Sequence, residues 1–269
     1  MTDDEVTGGR VREVVRKRGD VLRSLRRAPA RKPALVDRLS ASRSTVDRAI
    51  RDLEAAGLVD SSDGAYAVTN AGELALTARG DYETVTDSLG SAVPMLDAVD
   101  PETPFDTALL DGADVRLADP HAPEHALSEA LTAPDDVDSL RGFATVVKSN
   151  YVSLLNDYIV DDDLTVEIVV ESAARESIAA VADARPAVAE FLTADGVTVL
   201  EYDGNLPYAL WLLDAAAERR AGVTVHEDGG VVGVLTNDSP AAVDWCEDRY
   251  AATREETTPV DPSALHASE

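Results

Sequence analysis

The sequence predicts two domains of different class: an α+β amino-terminal domain built as a helix-turn-helix with a hairpin wing, then an α/β domain with a mixed sheet. Three observations carry this prediction. A helical run ends at Gly57 and is followed at once by two short strand-like runs around a Ser-Asp-Gly turn. Three prolines with acidic spacers crowd residues 91–105, the composition of a boundary. Beyond them, short Val- and Leu-rich runs alternate with alanine-rich amphipathic segments, the texture of strands separated by helices.

Taken in order, residues 1–9 read as an unstructured start. Apolar positions Val11, Val14, Val15, Val21, Leu22 and Leu25 give residues 10–27 a helical period, either as one helix or as two pieces broken at Gly19-Asp20. Pro33 suits the first turn of a second helix over 34–40. In the third helix Val46, Ala49, Ile50 and Leu53 recur at spacings of three, four and seven, which makes one inward stripe. Ser42 is its expected N-cap, with Ser44 and Asp47 as an alternative capping box. Leu58-Val59 then opens a strand, Ser61-Ser62-Asp63-Gly64 turns, and Tyr66-Ala67-Val68 returns. Thr69 or Asn70 caps a further helix to about residue 89. The expected domains are therefore 10–90, a linker over 91–105, a regulatory α/β domain over 106–257, and a mobile tail over 258–269.

Within the second domain, strands are expected over 114–118, 164–170, 197–202 and 208–213, and a hairpin over 223–235. Helices are expected over 123–132, 151–159, 175–182 and 187–194, while residues 141–150 give no clear pattern. Ser239 as N-cap with Pro240 at the first position begins a last helix to about residue 254.

Charge is distributed unevenly. The chain carries a formal net charge of -27, and its pI is about 4.3. Yet residues 10–59 hold 14 Arg or Lys against 6 Asp or Glu. A basic island in an acidic chain implies an anionic partner for the island, with the acidic remainder opposing indiscriminate association. Lysine is nearly absent, with Lys17, Lys32 and Lys148 beside 21 arginines. Such a composition resembles proteins of salt-accumulating halophilic archaea, where DNA affinity from counterion release is weakened and contact geometry must supply specificity. One cysteine, Cys246, excludes an internal disulfide and a cysteine-cluster metal site. No apolar run approaches the roughly 20 residues of a membrane span, so a cytoplasmic protein with no membrane partner is expected.

The third helix gives the first candidate site. Ser44, Thr45, Arg48 and Arg51 lie opposite its apolar stripe and are expected at the major groove, where arginine bonds both acceptors of a guanine edge. Ser42 and Arg43 stand at its start, Arg43 nearer the phosphates. Arg31, Lys32 and the wing-tip residues Ser61, Ser62 and Gly64 are expected phosphate contacts, although Asp63 disfavours deep insertion. The competing structural reading pairs Asp47 with Arg51 and Arg48 with Asp52 at i, i+4, worth about 0.3 to 0.5 kcal/mol each.

His121-Ala122-Pro123-Glu124-His125 matches the H-x-x-E-H pattern of one class of zinc proteases. Pro123 opposes that reading, because proline belongs in the first helical turn and leaves His121 outside the helix. No metal and no cofactor are expected. Loop histidines His121 and His125, with Tyr208 and Trp211, remain candidates to line a ligand pocket. Gly229 to Gly233 reads as a hairpin turn with no following helix, and Trp245, Cys246 and Tyr250 read as packing residues.

The segment SRSTVDRAIRDLEAAGLVDSSDGAYAVTNAGE resembles the winged domain of archaeal transcriptional regulators. ADVRLADPHAPEHAL, LTVEIVVE and VHEDGGVVGVLTNDSPAAVDWCEDRYAATR resemble the regulatory domain of haloarchaeal members related to the methanogen filament and methanogenesis regulator family. The resemblance implies a phospholipase-D-like second domain. It departs from that enzyme class in lacking the catalytic motif: none of His121, His125, His226 and His266 has a lysine two residues on. The expectation is a non-enzymatic, sequence-specific regulator that binds double-stranded DNA as a homodimer and responds to a small-molecule effector. The alternative is a winged module that docks on the transcription machinery without specific DNA binding.

Overall fold

Residues 7–119, 121–122, 125–131, 137–146, 164–174, 194–216 and 218–260 are described by a computed structural model of the chain. It divides into two units, Met1–Glu83 and Thr84–Glu269. The first begins with α1 (Gly8–Arg27), one unbroken helix in spite of Gly19. Gly19 is buried because the Arg79 guanidinium lies against it, where a Cβ would come within 2.4 Å of Nη1. That nitrogen donates to the Val15 and Arg16 carbonyls, so the glycine makes room for a cation instead of ending the helix.

Two shorter helices follow, α2 (Lys32–Leu39) and α3 (Arg43–Ala55), then the antiparallel pair β1 (Val59–Ser62) and β2 (Ala65–Val68). Pro33 occupies the first turn of α2, and Ser40 ends it in the left-handed conformation. Gly57 takes a positive φ just past α3, as the tight exit into β1 requires. Ser61 and Ser62 are strand residues, not turn residues as expected. Only Asp63 and Gly64, at φ 53 and 74, form the two-residue turn, because positive φ at both positions matches the strand twist. Leu22 and Leu25 of α1, Leu35 of α2 and the α3 stripe of Val46, Ala49, Ile50 and Leu53 meet with Leu58 and Val59 in one core. Each fully buried valine, leucine or isoleucine among them contributes about 1.5 to 3 kcal/mol.

The fourth helix, α4 (Asn70–Leu96), corrects the expected linker over 91–105. It runs through Pro94, and Ala92 and Met95 are fully buried in the second unit's core with Val99. Phe105 packs on Tyr208 at 5.1 Å between ring centroids. Burial of these apolar groups outweighs the turn-forming composition, and Pro94 near the helix end removes only one hydrogen bond.

In the second unit, β3 (Asp114–Leu117), α5 (His125–Ala130), β4 (Val137–Ala144), β5 (Thr165–Glu171), β6 (Val197–Tyr202), β7 (Ala209–Ala215), β8 (Arg219–Glu227) and β9 (Gly230–Asn237) precede α6 (Pro240–Arg254) and β10 (Thr257–Pro259). The eight strands form one sheet in the order β10-β6-β5-β4-β7-β8-β9-β3. The β4–β5 and β5–β6 pairs are parallel and the others antiparallel, so the sheet is mixed. Residues 141–144, without a clear sequence pattern, complete β4; Gly142 there lies against the Leu210 carbonyl, with no room for a Cβ. The helices expected over 151–159, 175–182 and 187–194 fall outside the described residues, except Ala194, which is in a bend.

Successive residues of β7 alternate between two apolar layers. Leu210 and Leu212 join α6, Val223, Val225 and Leu235; Trp211 and Leu213 join α5, Val166, Val199 and Val234. Ser239 caps α6 by accepting the Ala242 N–H. The tail expected to be mobile from residue 258 instead continues β10: Thr258 stands opposite Glu201 and Pro259 opposite Leu200, and Val260 N–H donates to the Val199 carbonyl at 3.0 Å. Main-chain pairing along the exposed flank of β6 holds it there, and a proline is tolerated on an edge strand. Residues 261–269 lie outside the described residues.

Candidate nucleic-acid interface

The start of α3 is fixed by Ser42, whose hydroxyl accepts the Thr45 N–H at 3.1 Å. The same oxygen lies 3.0 Å from Ser44 Oγ and 2.8 Å from Thr45 Oγ1. Three hydroxyls thus cluster at the end of the helix where the macrodipole favours an anion. Burial of Val46, Ala49, Ile50 and Leu53 turns Arg43, Ser44, Thr45, Arg48 and Arg51 outward, and all five are exposed.

The carboxylates of α3 do not make the ion pairs its spacing suggests. Asp47 pairs with Lys32 of α2 at 2.9 Å, and Asp52 pairs with Arg18 of α1 at 2.9 Å. Arg48 Nε donates instead to the Ser44 carbonyl at 3.2 Å, and Arg51 Nε to the Asp47 carbonyl at 3.3 Å. Among the described residues, neither arginine has a carboxylate partner. The competing i, i+4 reading is therefore not realised, because cations from neighbouring helices reach the carboxylates first.

Lys32 belongs to this scaffold more than to a phosphate-contact set. It is partly covered, its ammonium lies 5.6 Å from the centroid of the Tyr66 ring, and the hydrogen bond to Asp47 raises its pKa above the ordinary value. Arg31 is exposed and donates from Nη2 to the Asp63 carbonyl at 3.2 Å, tying the entry to α2 to the hairpin turn. Ala30 and Tyr66 exchange main-chain hydrogen bonds at 3.0 and 2.9 Å, which fixes the hairpin from its other side. Ser62 and Gly64 are exposed at the hairpin's end. Arg18, 34 residues from Asp52, has no local signal that would single it out; only the packing of α1 on α3 brings them together.

The second candidate set does not converge. Tyr208 lies in the α6 layer between Phe105 and Phe143, whereas Trp211 lies in the α5 layer on the other side of the sheet. His121 sits in the turn before α5, its N–H donating to Asp119 Oδ1 at 2.7 Å. His125 begins α5, exposed, with Nε2 3.1 Å from Glu129. Pro123 and Glu124 lie outside the described residues. A separate polar cleft of about 290 Å³ is lined by Arg116, Arg220, Asn237 and Asp114 among others, and Arg116 is already paired with Asp114 and Glu129. Cys246 is fully buried, and burial pushes its thiol up to about 12. Among the described residues no group of three His, Cys, Asp or Glu could hold a metal ion, and no helix is long and apolar enough to cross a membrane.

The family model of the middle domain of the methanogenesis regulatory protein FilR1 matches residues 120–256, half of the chain. The chain belongs to this family. Residues 11–89 match a second model, the HVO_A0261 N-terminal domain, which covers α1 to α3, the hairpin and most of α4. Membership makes the chain a regulatory protein of the transcription-regulator kind. No curated protein sequence matches it. Among solved structures, TrmBL2, an archaeal chromatin protein, aligns over 94% of this chain and 100% of its own at 11% identity, with a TM-score of 0.40. Nuc from Salmonella typhimurium, a phospholipase D family member, aligns over 55% of this chain and 98% of its own at 10% identity, with a TM-score of 0.41. At these scores neither likeness bears on what the FilR1-related chain does.

Proposed function

We propose that this FilR1-family chain is a sequence-specific DNA-binding transcription regulator of a halophilic archaeon, acting in the cytoplasm as a homodimer and without enzymatic activity. Its first unit reads DNA as a winged helix-turn-helix, and its second senses a small-molecule effector. The observation that carries the reading is the disposal of charge on α3: Lys32 and Arg18 draw off Asp47 and Asp52, and Arg48 and Arg51 remain exposed with no carboxylate partner among the described residues. On a chain of net charge -27, such a face suits a polyanion whose base edges accept from arginine. Lys32 and Arg31 serve it by holding the hairpin and α2 in place, and Arg43, Ser44 and Thr45 reach the backbone and groove beside the arginines.

The test begins by selecting bound sequences from a random duplex pool at molar salt. Arg48→Ala is then expected to weaken the selected sequence by about 10- to 100-fold and to relax specificity at one position. Full retention of affinity and specificity in that variant would remove Arg48 from the groove. Failure of the intact protein to enrich any sequence would replace DNA reading with docking on a protein of the transcription machinery.

A further inference from the structure

More than half of the basic island belongs to α1, not to the helix that carries the DNA reading. Residues 8–27 hold eight Arg or Lys against Glu13 and Asp20, whereas residues 43–55 hold three arginines and three carboxylates and are formally neutral. Three of the α1 cations are committed: Lys17 to Glu13, Arg23 to Asp20, and Arg18 to Asp52 of α3. Arg12, Arg16, Arg26 and Arg27 are exposed and make no ion pair among the described residues.

Helical geometry gathers these cations. Arg12, Arg16, Arg23 and Arg27 follow spacings of four, seven and four, which at roughly 100° per residue sets them within roughly 60° of one another. The stripe runs along roughly 22 Å at about 1.5 Å per residue. Val21, Leu22 and Leu25 hold the other side of α1 in the first unit's core. Each stripe residue lies roughly 120° to 180° around the axis from Arg18, the side chain that reaches α3, so the stripe faces away from α3. Of the chain's 51 acidic residues, α1 contributes only Glu13 and Asp20 beside it, each already held by a cation. Guanidinium groups fit phosphate oxygens in pairs, and α1 has no Asn, Gln or aromatic side chain with which to read or stack on a base. Such a row suits a charged backbone and carries no sequence information. The α3 reading brings duplex DNA to this unit already, so a further stretch of the same molecule is presented at high local concentration, an advantage an acidic protein lacks.

We propose that the arginine stripe of α1 is a second, sequence-independent duplex-binding face, which holds the phosphates of a further DNA segment while α3 reads its site. The inference rests on the DNA reading above but uses none of its residues, so the two fail separately. Protein saturated with a short duplex of the sequence selected through α3 should still capture a labelled duplex of unrelated sequence in about 0.3 M KCl, measured by co-sedimentation. The variant Arg12→Gln, Arg16→Gln, Arg27→Gln, changed only at exposed positions, should keep its far-ultraviolet spectrum and bind the selected duplex within about twofold of the parent, yet lose capture at least about 10-fold. Its slope of log affinity against log salt for the unrelated duplex should be shallower by about 2 to 3, since each lost phosphate contact removes about 0.9. Lysine at the same three positions should restore capture. A saturated parent that captures no second duplex, capture that survives the glutamine changes, or affinity for the selected duplex that falls with them would overturn the second face. Displacement of the unrelated duplex by polyglutamate at equal charge concentration would also overturn it and assign the stripe to an acidic protein. If the intact chain enriches no sequence, Arg48→Ala with Arg51→Ala becomes the starting protein. Unrelated duplex that it binds, and loses only with the glutamine changes, upholds the stripe without the α3 reading; no binding overturns both.

Discussion

Lys32 Nζ stands 2.9 Å from the Asp47 carboxylate, joining the first turn of α2 to the outward side of α3. Arg18 does the same for Asp52 from α1. Both contacts are partly exposed, so their value to stability is at most about 1 kcal/mol each. Their larger effect is on what α3 presents. A carboxylate released from its partner is one turn from an arginine: Asp52 from Arg48, and Asp47 from Arg51.

Arg18→Ala is therefore expected to weaken DNA binding about 2- to 5-fold although Arg18 belongs to the scaffold, because Asp52 would then compete for Arg48. Adding Asp52→Asn should restore the loss. Fluorescence anisotropy on the single and double variants over a salt series measures both; additive losses would show that Arg18 contacts DNA itself.

Two glycines of α4 should respond oppositely to alanine. A Cβ at Gly72 would lie 2.2 Å from the Leu58 carbonyl oxygen and 2.6 Å from Val68 Cγ1, so the start of α4 must shift away from the hairpin. Gly72→Ala should destabilise the first unit by about 1 to 3 kcal/mol. Gly80 has nothing within 4 Å and lies in the same helix, so Gly80→Ala should stabilise by about 0.5 to 1 kcal/mol. Thermal denaturation of the two variants gives the comparison.

Asn237 is a buried junction. Its Nδ2 donates to the carbonyls of Leu109 at 3.1 Å and Asp111 at 2.9 Å, while Oδ1 accepts the Ser239 N–H at 2.8 Å. Asn237→Asp keeps the shape but turns the donor into an acceptor facing carbonyls. A loss of at least about 1 to 3 kcal/mol is expected, read as a drop in the second unit's melting temperature.

Acid should loosen the second unit through two carboxylates. Hydrogen bonding from Arg254 holds Glu167 below its ordinary value of 4.5; burial opposes this and the Tyr250 hydroxyl assists it. At Asp214 burial pushes upward, but hydrogen bonds from Arg219, Arg141 and Ser139 together outweigh it, leaving the group below its ordinary 3.8. Both folded values are depressed, so the stabilisation is present above the unfolded values and is lost as pH falls through the folded ones. Calorimetry should show the melting temperature falling below about pH 4.5, with a shallower fall in Glu167→Gln. An unchanged slope in that variant would refute the assignment.

The first unit was largely legible because its signals are local. Ser42 at the N-cap, Gly57 at the exit and the α3 stripe act over a few residues, and each occupies the expected place. The ion pairs were not legible, since Asp47 and Asp52 each have an arginine one turn away in sequence but are taken by residues of other helices. The proline-rich stretch over 91–105 misleads for a related reason: turn composition is a weak local preference, and Met95 and Ala92 gain more from burial. Tyr208 and Trp211 do not share a pocket wall, because Trp211 lies within β7 and faces one apolar layer while Tyr208, in the bend just before that strand, packs into the other.

The short β10 has a consequence at high protein concentration. A β6 flank left bare would offer a row of unpaired amide and carbonyl groups, a template for another sheet. Residues 257–259 cover that row in cis, and Pro259 brings to the new border a position with no hydrogen to donate. The opposite border is four residues long and carries the charged pair Asp114 and Arg116. Among the described residues both borders of the sheet are thus short, and in concentrated salt, where electrostatic repulsion is screened, they would leave a steric defence against fibrous stacking.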